Sequence, residues 1–220
     1  VGATLKKIQV GSREYDGDDF IALVSLVASD GWVGGTDSNR NTVSFCCFRD
    51  DRIEMVRGLA QRLDLHEIPS RERVWKWSDA GLASWLRSNL YTGTALQSPF
   101  KRVPDLVKVA DQSQIDVFLK FYGDQHISRD RQQARQFYTS SHRMADDLQE
   151  LLLRSGRRSG VYERAPRSAT MKDGRRIDAS SCTADITVSE WISDNLSIDR
   201  KNVRQEDYKG TVYCLSLIHI

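Results

Sequence analysis

Phe20-Ile21-Ala22-Leu23-Val24-Ser25-Leu26-Val27-Ala28-Ser29-Asp30-Gly31 decides how this chain of 220 residues is read. From Asp18 to Ser29 the segment is apolar on almost every face, so a helix here is buried all round and not amphipathic. Asp30-Gly31 is a stop signal for it. Ala22, Ser25, Ala28 and Ser29 are small enough to let a second helix approach closely. A partner of similar character lies further on: Gln112 to Gly123 carries Ile115, Val117, Phe118, Leu119, Phe121 and Tyr122 and closes on Asp124. The two terminal acids, Asp30 and Asp124, are 94 positions apart.

The elements around these helices recur in order. After the first come Trp32-Val33 and Thr42 to Phe48 as a hairpin, then Arg52 to Leu65 as a helix with Ile53, Val56, Leu59, Ala60 and Leu63 at helical spacing. Arg73 to Trp77 alternates as a strand, and Asp79 caps a short helix containing Leu82, Trp85 and Leu86. After the second come Gln136 to Ser140 as strand and Met144 to Arg154 as an amphipathic helix. Gly160 to Tyr162, Ala169 to Lys172 and Thr183 to Val188 follow as strands, and Ser189 to Leu196 as a short helix. The repeat predicts an α+β fold made of two similar αββαββα halves, 18–110 and 111–205, about a pseudo-twofold axis.

Composition narrows the class. With 40% hydrophobic and 28% charged residues the chain fits a soluble globular protein. Its apolar runs fall short of the roughly 18 residues that cross a bilayer, so no membrane partner is expected. Cys46, Cys47, Cys182 and Cys214 lack C-x-x-C spacing and are read as reduced, in a cytoplasmic protein. Lys and Arg total 32 against 30 Asp and Glu, a net of +2. That balance is uneven: Arg154 to Arg176 holds Arg154, Arg157, Arg158, Arg164, Arg167, Lys172, Arg175 and Arg176 against Glu163 and Asp173, a net of +6 on a body of −4.

Two side-by-side helices that each end in an acid can bring two carboxylates together to bind divalent cations between water and a phosphodiester. At these residues the sequence resembles a known family. Leu23-Val24-Ser25-Leu26-Val27-Ala28-Ser29-Asp30-Gly31 resembles the motif of LAGLIDADG homing endonucleases, and Phe118-Leu119-Lys120-Phe121-Tyr122-Gly123-Asp124-Gln125-His126 resembles its second copy. Lys101-Arg102-Val103-Pro104 is similar to the family's K-x-x-P segment. Tyr138 to Ser141 and Met144 to Leu152 resemble the strand and helix of intein-borne members, and Tyr208 to Leu215 resembles the block opening an intein's C-terminal splicing strand.

The resemblance spans about Asp18 to Asp199 and implies a DNA-binding saddle around two central packed helices. It implies hydrolysis of double-stranded DNA at a specific site by a monomer, with Mg²⁺ held by Asp30 and Asp124. Lys101 would be catalytic, and Lys201 its symmetric partner. It further implies an intein, with host exteins as partners in the precursor. Residues 1–17 would be a linker or remnant of the splicing domain, and 206–220 a partial splicing strand. The stretch lacks a splicing Cys or Ser with its block at one end and a His-Asn pair at the other, so splicing is not expected of it alone.

Two departures bear on activity. Gln125 stands where glycine is usual, at a helix end where a positive φ favours glycine. The second helix is about two residues short before its acid. A degenerate member that binds DNA, or merely braces the splicing domain, is the alternative. Simpler readings also stand for single residues: an acid before glycine is common, Lys101 and Lys201 are each also explained as solvated lysines, and the tryptophans and Cys46-Cys47 as core.

Strands can lie in the major groove and present alternate side chains to base edges. The expected DNA contacts are therefore the first hairpin tip, with Asn39 and Arg40, the matching positions Arg129, Arg131 and Arg135, and Lys172 in the basic stretch.

Overall fold

The structure, a computed structural model, describes residues 2–36, 38–50, 52–69, 71–127, 133–165, 168–170, 176–177, 184–191 and 209. It is α+β, with helices against antiparallel sheets. Two hairpin strands, Lys7–Val10 (β1) and Arg13–Asp16 (β2), lead into Gly17–Asp30 (α1). Asp16 starts α1 by accepting from the Asp18 and Asp19 amides, as an N-cap should. Every residue from Phe20 to Ala28 is buried, Ser25 included, so α1 is central, as its all-round apolar character requires.

Gly31–Val33 (β3) and Thr42–Cys46 (β4) form the expected hairpin, followed by Ile53–Arg62 (α2), Glu67–Ile68 (β5), Arg71–Ser78 (β6) and Ala80–Leu90 (α3). The Asp79 side chain accepts from the Leu82 amide at 2.8 Å and caps α3. A connector with a short helix, Asp105–Val109 (α4), reaches Gln112–Tyr122 (α5). Asp124–Ile127 (β7), Gln133–Thr139 (β8), His142–Arg154 (α6), Arg158–Arg164 (β9), the small pair Ala169–Thr170 (β10) and Arg176–Ile177 (β11), and Asp185–Trp191 (β12) complete the described elements.

The halves share one sheet pattern. The first sheet runs β3-β4-β6-β5 and the second β7-β8-β12-β9. In each, the hairpin after the central helix forms one side, and the last long strand inserts between it and the strand before it. Central helix α1 packs along α5. Asp18 Oδ1 accepts from Gln114 Nε2 at 2.9 Å near both helix starts, and Ser25 Oγ donates to the Phe118 carbonyl at 2.6 Å further along. The helices are therefore parallel, with both C-terminal ends on one side.

One point differs from the sequence reading. Ser189 opens no helix: Ser189, Glu190 and Trp191 continue β12, paired with Gly160, Ser159 and Arg158, and the cross-strand ladder outweighs local helix preference there. Residues 192–196 lie outside the described residues. Within 1–17, the β1–β2 hairpin contributes Ile8, Val10 and Tyr15 to the core. Leu5 also exchanges two hydrogen bonds of 2.8 Å with the buried Gln114 side chain. No described helix is long and apolar enough to cross a membrane.

Candidate nucleic-acid interface and helix-end site

Asp30 is exposed at the last turn of α1, where the helix leaves carbonyls without intrahelical partners. Lys101 meets them. Buried at 5% exposure, its ammonium donates to the carbonyls of Val27, Ala28 and Gly31 at 2.9, 3.0 and 2.8 Å. All three N–H groups are thereby used, at the negative end of the helix dipole. Burial pulls the Lys101 pKa down to about 8, opposed by the nearby Asp30 carboxylate. Ser141 Oγ donates to the Lys101 carbonyl at 2.6 Å, which ties this residue to the second half. Lys101 is thus a helix plug adjoining Asp30, and not the solvated lysine its sequence also allowed.

The end of α5 is met by a residue that sequence reasoning passed over. Arg52, 8% exposed, donates from Nη1 to the Phe121 carbonyl at 3.3 Å. Each central helix so ends against a buried cation held by a segment outside it. Nothing in the sequence marked Arg52, because its partner, the Phe121 carbonyl, lies 69 positions further along the chain.

The second acid does not repeat the first. Gly31 closes α1 by donating to the Val27 carbonyl, and Gly123 closes α5 by donating to the Leu119 carbonyl. In the hairpins Gly31 pairs with Phe45, and the β7–β8 register, Asp124 with Gln136, carries Gly123 opposite Phe137. Both glycines and both phenylalanines are 92 positions apart. By this register Asp30 corresponds to Tyr122, a buried ring whose hydroxyl donates to the Tyr138 carbonyl at 3.2 Å. Asp124 corresponds to Trp32, in the first strand. The spacing of 94 between the acids is therefore two residues longer than the structural repeat, which accounts for the short second helix. Asp30 nonetheless lies near the end of α5, where its charge helps to raise the Tyr122 hydroxyl pKa, though burial does more.

Glycine is needed at these ends for a reason other than the one expected. Gly31 and Gly123 have φ of −113° and −79°, ordinary for any residue. A Cβ on Gly31 would lie 2.4 Å from Val27 Cα, and one on Gly123 2.4 Å from the Phe137 ring. Gln125 corresponds to Val33 in the strand, so no left-handed backbone is demanded of it.

The expected DNA contacts divide. Arg40 is exposed at the β3–β4 connection. Asn39 is half-buried, and its Oδ1 accepts from the Thr36 amide at 2.9 Å and the Thr36 hydroxyl at 2.8 Å. Its side-chain oxygen is thereby used to lock the turn. Arg135 shares the inward-facing row of Phe137, and its Nε lies 3.7 Å from Glu190 Oε2. Arg157 reaches the same Glu190 at 3.2 Å and Asp116 at 3.0 Å. Burial lowers the Arg135 pKa, with Arg157 adding to it. Arg135 is thus placed in an interior ion cluster, because the period of two along β8 turns it away from the outer face. Arg129, Arg131, Lys172 and Lys201 lie outside the described residues, as do all of 206–220 except Lys209.

The outer face of the first sheet opens beside Asp30 into a groove of about 790 Å³, walled by Trp32, Phe48, Cys46, Arg71, Glu72 and Val74. Cys46 Sγ donates to the Asp30 carbonyl at 3.5 Å, and burial, with help from Asp30, pushes its thiol up to about 11. It is a neutral thiol, not a nucleophile.

Among solved structures, the chain is similar to mesophilic variants of the homing endonuclease I-DmoI, with a TM-score of 0.49 at 10% identity, covering 80% of this chain and 89% of that one. It is similar to I-DmoI in complex with DNA and Ca, with a TM-score of 0.49 at 10% identity over 80% and 84% of the two chains. It is also similar to the N-terminal LAGLIDADG domain of DUF199/WhiA, with a TM-score of 0.43 at 9% identity over 81% and 77%. No protein-family model and no curated protein matches the chain.

Proposed function

We propose that this chain is a DNA-binding protein of the homing-endonuclease type, in which Asp30 and Asp124 hold Mg²⁺ for site-specific hydrolysis of double-stranded DNA. The observation that carries the reading is the parallel pairing of α1 with α5 through Ser25 and Phe118, which brings the α1 end with Asp30 and the α5 end, two residues before Asp124, to one side. The chain acts as a cytoplasmic monomer and belongs to an intein, on the motif resemblance of Tyr208 to Leu215.

The donor set suits this ion. Mg²⁺ keeps several waters and needs only one or two carboxylates with substrate phosphate oxygens, and Asp30 is an exposed carboxylate beside a groove. Among the described residues no group of three or more His, Cys, Asp or Glu side chains could hold a metal by itself, so a DNA phosphate would complete the site. When bound, the ion polarises phosphate oxygen and lowers the pKa of water. The chain supplies Asp30 as ligand. Lys101, by taking up the α1 carbonyls, fixes where that carboxylate stands.

The test is to offer a library of random duplexes with Mg²⁺ to the natural chain and to the Asp30→Asn plus Asp124→Asn variant. Defined cut ends from the first and none from the second are expected; equal cutting by both overturns the roles of the acids. A second reading, binding without cutting, is favoured by one observation: Asp124 occupies the strand position of Trp32 and not the helix-end position of Asp30. Enrichment of one duplex without cut ends at any Mg²⁺ concentration selects it.

A further inference from the structure

The outer face of the second sheet carries a row of side chains that the acids and arginines discussed above leave unexplained. Thr187 of β12 pairs with Tyr138 of β8 on one side and with Tyr162 of β9 on the other, so the three share one face. Ile186 and Val188, on either side of Thr187 along β12, are buried, as is Phe137 beside Tyr138. The row therefore stands on the side away from the core. Tyr138 is 47% exposed and Tyr162 52%. The Tyr138 hydroxyl donates to Gln136 Oε1 at 2.5 Å, so what this ring turns outward is carbon. Strand alternation puts Arg158 and Arg164 on the same face of β9 as Tyr162, where cations suit the phosphates that flank a groove.

The first sheet lacks such a row. By the repeat of 92 positions Tyr138 corresponds to Cys46, whose cross-strand partner is Val74. Both are short and half-buried, and the neighbouring row sets Lys76 beside Ser44 and Trp32. Rings protruding around a threonine methyl are thus a feature of the second half.

A duplex presents base edges to a protein, and in the major groove the apolar group on those edges is the C5 methyl of thymine. Guanidinium and amide groups suit the remaining edge positions, whereas ring carbon and a threonine methyl suit that methyl. Spacing agrees. Neighbouring strands lie about 4.8 Å apart, which sets the two tyrosines roughly 10 Å apart across Thr187, close to three base-pair steps of about 3.4 Å each. We propose that Tyr138, Thr187 and Tyr162 are specificity-determining residues that read the thymine methyls of a short A·T run in one half of the duplex target. The inference rests on the DNA-binding reading and deepens it, naming the base pairs that the second sheet selects.

The test begins with the full natural chain and a library of random duplexes, from which bound DNA is recovered and sequenced. A short A·T run in one half of the enriched duplex is expected. That duplex is then made with deoxyuridine for thymidine in the run, which removes the methyls and keeps the pairing. Each methyl lost is expected to weaken binding about fourfold by fluorescence anisotropy, and three of them about tenfold or more. The double variant Tyr138→Ser plus Tyr162→Ser is expected to bind the two duplexes within about threefold of each other, while Tyr162→Phe, which keeps the ring, retains the natural preference. A uracil duplex bound by the natural chain as tightly as the thymine one, or an enriched duplex without an A·T run, overturns the methyl role while DNA binding stands; neither outcome depends on the folding of a variant. An undiminished thymine preference in the double variant, once circular dichroism shows it folded, also overturns that role. Enrichment of no duplex overturns the DNA reading itself and this inference with it.

Discussion

Gly31 and Gly123 hold the same place in the two halves: each donates its amide to the carbonyl four residues back, Val27 or Leu119, and each enters the first strand of its sheet. This pair, and not the pair of acids, sets the repeat. It puts Asp30 on a helix end and Asp124 on a strand, so the halves are alike in topology and unlike in the chemistry they present.

The first prediction concerns these glycines. Gly31→Ala would drive a Cβ against backbone, and Gly123→Ala would drive one into the buried Phe137 ring. Each is expected to destabilise by about 2 kcal/mol or more, since a packed core cannot shift freely. Urea unfolding measures it; a loss under about 0.5 kcal/mol, as at ordinary surface sites, would mean that the contacts relax.

Lys101→Met keeps the aliphatic stem and removes the ammonium from three buried carbonyls. Hydrogen bonds to charged groups contribute about 1.5–3 kcal/mol each, partly offset by the desolvation of the ammonium. A net loss of about 3 kcal/mol is expected in chemical denaturation. A variant as stable as the natural chain would return Lys101 to the role of a dispensable lysine.

Ser25→Ala removes the hydroxyl that reaches the Phe118 carbonyl across the helix pair. About 1 kcal/mol is the expected cost. Because the bond joins the halves, amide exchange should quicken on both α1 and α5; acceleration confined to α1 would place the bond outside the coupling.

Arg135→Ala and Arg40→Ala should separate stability from binding. Arg135 faces Glu190 in the interior, so its loss is expected to lower stability by about 1–3 kcal/mol and leave the salt dependence of DNA affinity unchanged. Arg40 is exposed, and its loss should reduce that salt slope by about 1 with little effect on folding. The reverse pattern would return Arg135 to the DNA face.

Alkaline unfolding tests Tyr15. Burial and Asp79 raise its pKa from 10.0 to about 12. Between those values the unfolded tyrosine has released its proton and the folded one has kept it, so stability is complete below pH 10 and falls as pH rises to about 12. Tyr15→Phe should therefore lose less stability across that window, by about 2 kcal/mol at its upper end. Parallel pH curves for the two proteins would show that the hydroxyl titrates normally.

Much of the secondary structure was legible because it is local. The all-round apolar run from Phe20 to Ala28, the Asp79 cap and the spacing of Ile53, Val56 and Leu59 each depend on residues within a turn or two. The β1–β2 hairpin and the extension of β12 through Trp191 were missed because tertiary partners stabilise them: Tyr15 packs on Phe20, and Ser189 is paired on both sides.

The order of residues by itself determined two apolar helices, small residues along the first of them, the hairpin after it and the recurrence of helix and strand. Hydrophobic periodicity is written residue by residue, so it survives without neighbours. The tertiary structure alone decided that the repeat is 92 positions and not 94, that Lys101 and Arg52 plug the helix ends, that Arg135 turns inward, and that Tyr138 and Tyr162 share a row. Each of these depends on cross-strand register or on a contact between residues far apart in the chain, and a one-residue change of register would move every side chain of a strand to the opposite face.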